Sequence, residues 1–240
     1  MENQFSRTEL IYGKLAMEKL ANARIAVFGI GGVGGHTVEA LVRSGIGAVD
    51  IIDNDKVCIS NINRQIIATH KTVGMDKVDA AEERLLEINP DVKIVKHKTF
   101  FTPETSGNFD FTQYDYIVDA IDTVTGKIEL ILKAKEAGTP IISSMGAGNK
   151  KNPSAFEVTD IFKTSVCPLA RVMRNELKKR GVKKLKVVYS QETPLSPAPD
   201  SERIEPTASR RATPGSNAFV PSVVGLIIAG EIINDITALS

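Results

Sequence analysis

The sequence predicts an α/β fold, doubly wound and Rossmann-like, with a mainly parallel sheet and an extended C-terminal part. Three observations carry that prediction. A short apolar run, RIAVFG at 24–29, ends on a glycine-rich turn. Strand-like and helix-like segments then alternate as far as residue 144. Hydrophobic content of 42% with 25% charged residues suits a globular chain with a full core and gives no fibrous or disordered signature. Repeated βα units favour a parallel sheet covered on both faces.

The elements follow in order from period and punctuation. Residues 24–29 form the first strand, 33–43 support a helix, and AVDIID at 48–53 is a second buried strand. A helix over 76–88, strands at 92–95 and 114–119, a helix over 124–137 and a strand at 140–144 continue the alternation. After Gly148 the rhythm changes: FEVTDI reads as a strand, PLARVMRNELKKR as a helix opened by Pro168, and KLKVVYS as another strand. Residues 191–217 hold five prolines and many serines and are expected to form a mobile crossing loop. The apolar tract 218–239 is interrupted by Pro221, Glu231, Asn234 and Asp235, which predicts a helix buried against the sheet and no membrane span.

The formal charge of +1 hides an asymmetry: residues 1–150 carry 17 basic and 20 acidic side chains, residues 151–211 carry 13 and 7. The only cysteines, Cys58 and Cys167, are too few for a disulfide framework or a CxxC zinc pair, and a reducing cytoplasm fits them best. The N-terminus, MENQFSRTEL, has no signal-peptide pattern, so export is not expected.

GIGGVG at 29–34 satisfies G-x-G-x-x-G between a predicted strand and a predicted helix. Gly29, Gly31 and Gly34 let the backbone turn tightly and approach phosphate oxygens at a helix start. Asp53, 19 positions after Gly34, ends the next strand, where a carboxylate accepts hydrogen bonds from ribose hydroxyls. Nicotinamide enzymes and ATP enzymes share this unit, so the residues beyond it must decide between them. SNINRQ crowds Asn61, Asn63, Arg64 and Gln65 past the second strand, where a guanidinium can grip phosphate. Lys77 stands at a helix start, where its charge is unfavourable against the helix dipole unless an anion is present. Asp119 and Asp122 end the fourth strand in VDAID, and either could hold Mg²⁺ against a polyphosphate, with helix capping the alternative for Asp122.

As an ordered set, GIGGVG, IIDNDKVCISNINRQ, VGMDKVDAA, DAIDT and FVPSVVGLIIAGEII resemble the ThiF/MoeB/HesA superfamily, related to ubiquitin-activating enzymes. The resemblance implies ATP-dependent adenylation, with Asp53 on the ribose, Arg64 and Lys77 on the phosphates, and Asp122 on Mg²⁺. The nucleotide set it implies is Gly29, Gly31, Gly32, Gly34, Asp53, Asp55, Asn61, Arg64, Gln65, Lys77 and Asp122. RTELIYG resembles the family's RxxxxxG segment, which implies a homodimer in which Arg7 acts on the partner's site. On this reading residues 1–240 are a single adenylating domain. Residues 1–150 form its nucleotide-binding core, and 151–240 add a basic substrate-facing extension, the crossing loop and the C-terminal helix.

Within the superfamily, RTELIYG, SNINRQI, DAID and the VTDI…PLA stretch resemble the branch that dehydrates a threonylcarbamoyl-modified adenosine in tRNA. That implies adenylation of the threonyl carboxylate, then ring closure by an internal nucleophile with loss of AMP, and no enzyme thiol. Arg171, Arg174 and Lys178 share a helical face, and Lys179, Arg180, Lys183, Lys184 and Lys186 follow closely, a patch suited to tRNA phosphates or to solvent. The alternative is an activator of a ubiquitin-like sulfur carrier, against which the absence of CxxC pairs counts. A nicotinamide dehydrogenase leaves SNINRQ and VGMDKVDA without a role, and a non-catalytic tRNA-binding protein leaves Asp53, Arg64, Lys77 and Asp122 without one. A monovalent cation and a sulfur-transfer partner protein stay open.

Overall fold

A computed structural model describes residues 2–196, 198 and 214–238. Among them one sheet holds β1 (Arg24–Phe28), β2 (Ala48–Ile52), β3 (Lys93–His97), β4 (Tyr116–Asp119), β5 (Ile141–Ser144), β6 (Phe156–Asp160) and β7 (Lys186–Ser190). Their order is β3-β2-β1-β4-β5-β7-β6. Neighbours run parallel except β6, which is antiparallel to β7. The helices are α1 (Ser6–Tyr12), α2 (Lys14–Asn22), α3 (Gly34–Arg43), α4 (Lys77–Ile88), α5 (Val124–Ala137), α6 (Pro168–Lys179) and α7 (Val220–Ala238).

Successive strand residues point to opposite faces, so a strand covered on both sides reads as one apolar run. In β1, Ile25 and Val27 pack with Leu20 of α2, Leu41 of α3, Leu85 of α4 and Ile228 of α7. Ala26 and Phe28 face the other way, toward Leu130 and Ala134 of α5 and the rings of Phe101, Phe109 and Phe111. A third cluster joins Ile131 of α5 and Met173 and Leu177 of α6 to Val187 and Tyr189 of β7.

Helix α7 is apolar enough to cross a membrane, with mean hydropathy 1.5, yet half of it is buried. A Cβ on Gly225 would lie 2.5 Å from the Val33 carbonyl oxygen, so α7 meets the start of α3 at backbone distance. Thr37 Oγ1 donates to the Gly225 carbonyl (3.2 Å). At the far end, Lys186 of β7 pairs with Asp235 (2.7 Å) and Glu231 (3.1 Å), and Tyr116 Oη donates to Asp235 (2.7 Å). The helix is therefore a core element, as its interrupting polar residues suggested. The ion pairs also take Lys186 out of the expected basic patch.

The predicted strands and helices from residue 24 onward are present, with ends shifted by a few residues. The N-terminal pair α1 and α2 was not predicted, and the reason is physical. Among described residues α1 buries none of its own and α2 only Ala16 and Leu20, so no apolar stripe marks them. Instead Leu10, Ile11 and Leu15 are exposed at 87%, 78% and 76%. Most of the expected crossing loop, residues 197 and 199–213, lies outside the described residues.

Candidate nucleotide site

The chain runs from β1 outward to β2 and β3, then returns to β4 on the other side of β1. Such a reversal opens a crevice at the carboxyl ends of the two strands that flank it. The glycine turn follows β1 directly, and Ala120 to Asp122 follow β4.

Gly29 has φ +92°, and a Cβ there would meet the Ala120 carbonyl oxygen at 2.7 Å. A Cβ on Gly34 would overlap the Gly29 carbonyl oxygen, so these two glycines close the turn on itself. Gly31 is different, because a Cβ there would meet only Gln65 Nε2, at 4.0 Å. Gly32 would touch Pro221 at 3.2 Å and Arg64 Cγ at 3.4 Å. Gly29 and Gly34 therefore shape the backbone, whereas Gly31 leaves open space over it.

Asp53 is locked to the turn: its Oδ2 accepts from the Ile30 N–H (2.8 Å) and its Oδ1 from the Asp55 N–H (2.9 Å). Lys77 is 6% exposed, donates to Asp55 Oδ2 (2.7 Å) and lies 3.5 Å from Asp53 Oδ1. The anion that its place at the start of α4 demanded is thus supplied in part by the protein. That hydrogen bond occupies one of its three donors.

Arg64 is half-buried and donates through Nη1 to the Ser60 carbonyl and to Asn63 Oδ1, both at 2.9 Å. Burial holds its guanidinium below the usual arginine value. No carboxylate pairs with it among the described residues. Asn61 is turned to its own loop, with Oδ1 accepting from the Cys58 N–H at 3.0 Å. Gln65 is buried, and its Oε1 is the one sealed side-chain polar atom without a partner among the described residues. A buried acceptor beside an open glycine backbone and an uncompensated guanidinium fits a nucleotide that carries both donors and negative charge.

The two candidate magnesium ligands separate cleanly. Asp119 is fully buried, pairs with Lys127 Nζ (3.0 Å) and accepts from Ser143 Oγ (2.5 Å), so it is spent inside the protein. Asp122 is exposed, and the cap position of α5 is Thr123, which removes the capping alternative. No group of three metal-ligating side chains occurs among the described residues. Mg²⁺ commonly takes one or two carboxylates and fills its shell with water and phosphate oxygens, a pattern one carboxylate can serve.

The structure does not bring every candidate together. Arg7 sits on the exposed face of α1, tied to nothing within the chain among the described residues. On α6, Arg174 Nη1 donates to the Thr164 carbonyl (2.9 Å) and Oγ1, while Lys179 and Arg180 both pair with Glu176 at 2.6 Å. Arg171, Lys178, Lys183 and Lys184 remain exposed, with no ion pair among the described residues. Cys58 is exposed and Cys167 buried.

Some residues had been passed over. His36 of α3 lies 3.3 Å from the Arg64 carbonyl through Nε2, and burial lowers its pKa. Lys127 carries the buried pair with Asp119. Lys150 is almost fully buried beside Asn149, whose φ of +58° places it in the left-handed region. Asparagine after two glycines tolerates that region, a signal present in GAGN; nothing in the sequence distinguished Lys150.

A model of the ThiF family matches residues 3–239. The tRNA threonylcarbamoyladenosine dehydratase of Bacillus subtilis is 43% identical, over 98% of this chain and 95% of its own length. Among solved structures, the Escherichia coli tRNA N6-threonylcarbamoyladenosine dehydratase TcdA in complex with ATP superposes with a TM-score of 0.88 at 34% identity, covering 98% of this chain and 94% of that one. The same protein in complex with AMP gives the same values.

Proposed function

The chain belongs to the ThiF family, and from that premise we propose that it adenylates the threonyl carboxylate of threonylcarbamoyladenosine in tRNA and dehydrates it to a ring. What supports this is a chain of contacts at the carboxyl ends of the strands: Asp53 accepts from the Ile30 N–H, Lys77 donates to Asp55, a Cβ on Gly32 would meet Arg64, and one on Gly29 would meet Ala120, two residues before Asp122. It supports the reading alongside similarity to tRNA threonylcarbamoyladenosine dehydratases along nearly the whole chain.

In this reading the ribose hydroxyls of ATP donate to Asp53, whose orientation is held by the Ile30 and Asp55 N–H groups. The phosphates lie over Gly31 and Gly32, within reach of Arg64 and Lys77. Asp122 would hold Mg²⁺, which would supply further charge neutralisation at the phosphates. A carboxylate oxygen of the threonyl group attacks the α-phosphorus and pyrophosphate leaves. An internal nucleophile of the same side chain then attacks the acyl carbon, closes a five-membered ring and expels AMP. The balance is one water lost from the nucleoside and one ATP split to AMP and pyrophosphate. Ring closure is intramolecular, so little orientational entropy opposes it. The main task of the protein is to neutralise charge at the α-phosphate.

Residues 1–150 act as the nucleotide core of a single domain, and the later segment faces the tRNA through Arg171, Lys178, Lys183 and Lys184. The cytoplasm suits both a tRNA substrate and two unpaired thiols. In mass spectrometry of nucleosides from tRNA treated with the protein, ATP and Mg²⁺, threonylcarbamoyladenosine is expected to convert to a species lighter by one water. Unchanged nucleoside mass with fresh substrate tRNA would sink the dehydratase reading.

Exposed Leu10, Ile11 and Leu15 on α1 and α2 favour a homodimer in which Arg7 serves the partner's crevice. Mixing Arg7→Ala with Lys77→Ala chains is expected to restore part of the activity each lacks alone, up to about a quarter of sites in a random mixture of dimers. No recovery in mixtures shown to exchange subunits would count against action across the dimer.

A further inference from the structure

Both described ends of the crossing segment are fastened to one residue. The Asn149 carbonyl accepts from the Leu195 N–H (2.8 Å), and its own N–H donates to the Gly215 carbonyl (2.8 Å). Its Oδ1 accepts from the Gly215 N–H (2.6 Å). Gly148 lets Pro214 come close, since a Cβ there would lie 2.7 Å from Pro214 Cβ. The neck reaches the phosphate side of the crevice as well: Asn63 Nδ2 donates to the Ser216 carbonyl (3.0 Å) while its Oδ1 holds Arg64 (2.9 Å). Asn217 Nδ2 donates to the Lys150 carbonyl (2.9 Å), and its Oδ1 accepts from the Val220 N–H (2.9 Å) at the start of α7.

Lys150 is therefore held on a fixed backbone and is 4% exposed. Its ammonium has no hydrogen bond or ion pair among the described residues. The other two lysines buried this deeply are paired, Lys77 with Asp55 and Lys127 with Asp119. Glu192, on the same neck, feels the Lys150 charge through space but spends its oxygens on the backbone N–H groups of Lys151 (3.0 Å) and Asn152 (2.9 Å). Among the described residues Gln65 Oε1 is the one sealed side-chain polar atom lacking a partner, so the Lys150 tip touches solvent. Met145 still bonds Val188 in register with β5, so the chain leaves the sheet for Lys150 at the carboxyl edge that also carries Gly31 and Asp122. A lysine buried along its stem, with its ammonium open to solvent and no carboxylate within ion-pair distance among the described residues, is placed to take an anion that arrives with a ligand at this edge.

We propose that Lys150 is a substrate-binding residue, whose ammonium takes an oxyanion of the bound tRNA: the threonyl carboxylate or a backbone phosphodiester. This rests on the function proposed above. Lys150 acts as a point charge, on a backbone held by Asn217, whose neighbour Ser216 is bonded by Asn63.

The test compares the full chain with Lys150→Met, which keeps the apolar stem, and with Lys150→Arg. Binding is measured with tRNA carrying threonylcarbamoyladenosine and with the same tRNA lacking that group, across a range of salt. Lys150→Met is expected to weaken the modified tRNA on the order of tenfold, with ATP affinity and melting unchanged and Lys150→Arg close to the parent. Weakening on both tRNAs, with the salt slope flatter by about 0.7 to 1, assigns the phosphodiester; weakening on the modified tRNA alone assigns the carboxylate. Equal binding of both tRNAs by Lys150→Met and parent overturns the proposal, as does an equal loss of ATP affinity. On the unaltered chain, saturating tRNA is expected to shield Lys150 from an amine-acylating reagent, and unchanged labelling overturns it too. Turnover by the parent chain is read separately, so a failed dehydration strikes the proposed function and leaves the binding arms to decide Lys150.

Discussion

Lys77→Ala is expected to lower AMP formation by about 10² to 10³-fold, the usual loss when one preorganised charge is removed from a developing transition state. The fold should survive it. Asp53 keeps its hydrogen bonds from Ile30 and Asp55, and Asp55 is 59% exposed, so water screens the charge left behind there. What is lost is the cation at the crevice. Lys77→Arg restores charge with a larger, planar head that the buried slot between Asp53 and Asp55 was not shaped for, so only partial recovery is expected. Cys167→Ser is the control: the thiol is 1% exposed and lies where a Cβ on Gly146 would meet it at 3.7 Å, and the proposed chemistry uses no thiol. Single-turnover AMP release, read beside thermal melting, checks all three. Near-normal AMP release from Lys77→Ala would remove that residue from the phosphate site, and a dead Cys167→Ser of normal stability would require a thioester route.

The parts legible in the sequence were those whose physics is local. RIAVFG announces β1 because both its faces are covered, and GIGGVG announces the turn because only glycine can let the Gly29 and Gly34 backbones meet. Lys77 was legible as a cation in need of an anion, although the sequence could not say that Asp55 would supply one. The illegible parts depend on distant pairings. Asp119 and Asp122 look alike in VDAID, and only Lys127 and Ser143 folding onto Asp119 separates them. Arg174 and Lys178 look alike on the wheel of α6, but Thr164 from the preceding turn captures Arg174. Asn149 and Lys150 gain meaning only from residues 195 and 215, which no short-range pattern connects to them. Helices α1 and α2 are the converse case, since Leu10, Ile11 and Leu15 face away from the core and break the apolar stripe that would mark them.

Gly31→Ala and Gly34→Ala are expected to fail in opposite ways. At Gly34 the added Cβ would overlap the Gly29 carbonyl oxygen, and both groups are backbone, so the turn must open or the start of α3 must shift. Overpacking of this kind costs about 1 to 3 kcal/mol where side chains can yield and more where they cannot, so a lower melting temperature is expected with or without ATP. At Gly31 the nearest atom to an added Cβ is Gln65 Nε2, at 4.0 Å, so the unliganded protein should melt like the parent. The methyl would instead occupy the space through which phosphate oxygens approach the turn. Displacing one or two charge-assisted hydrogen bonds, at about 1.5 to 3 kcal/mol in all, weakens ATP by roughly 10 to 100-fold. Calorimetric ATP titration and melting of the two variants separate the cases. Parent-like ATP affinity in Gly31→Ala would move the phosphates away from the turn, whereas parent-like melting in Gly34→Ala would mean that the Gly29–Gly34 contact does not close it. The pair thus distinguishes a glycine kept for the backbone's sake from one kept for the ligand's, a distinction the G-x-G-x-x-G pattern cannot make.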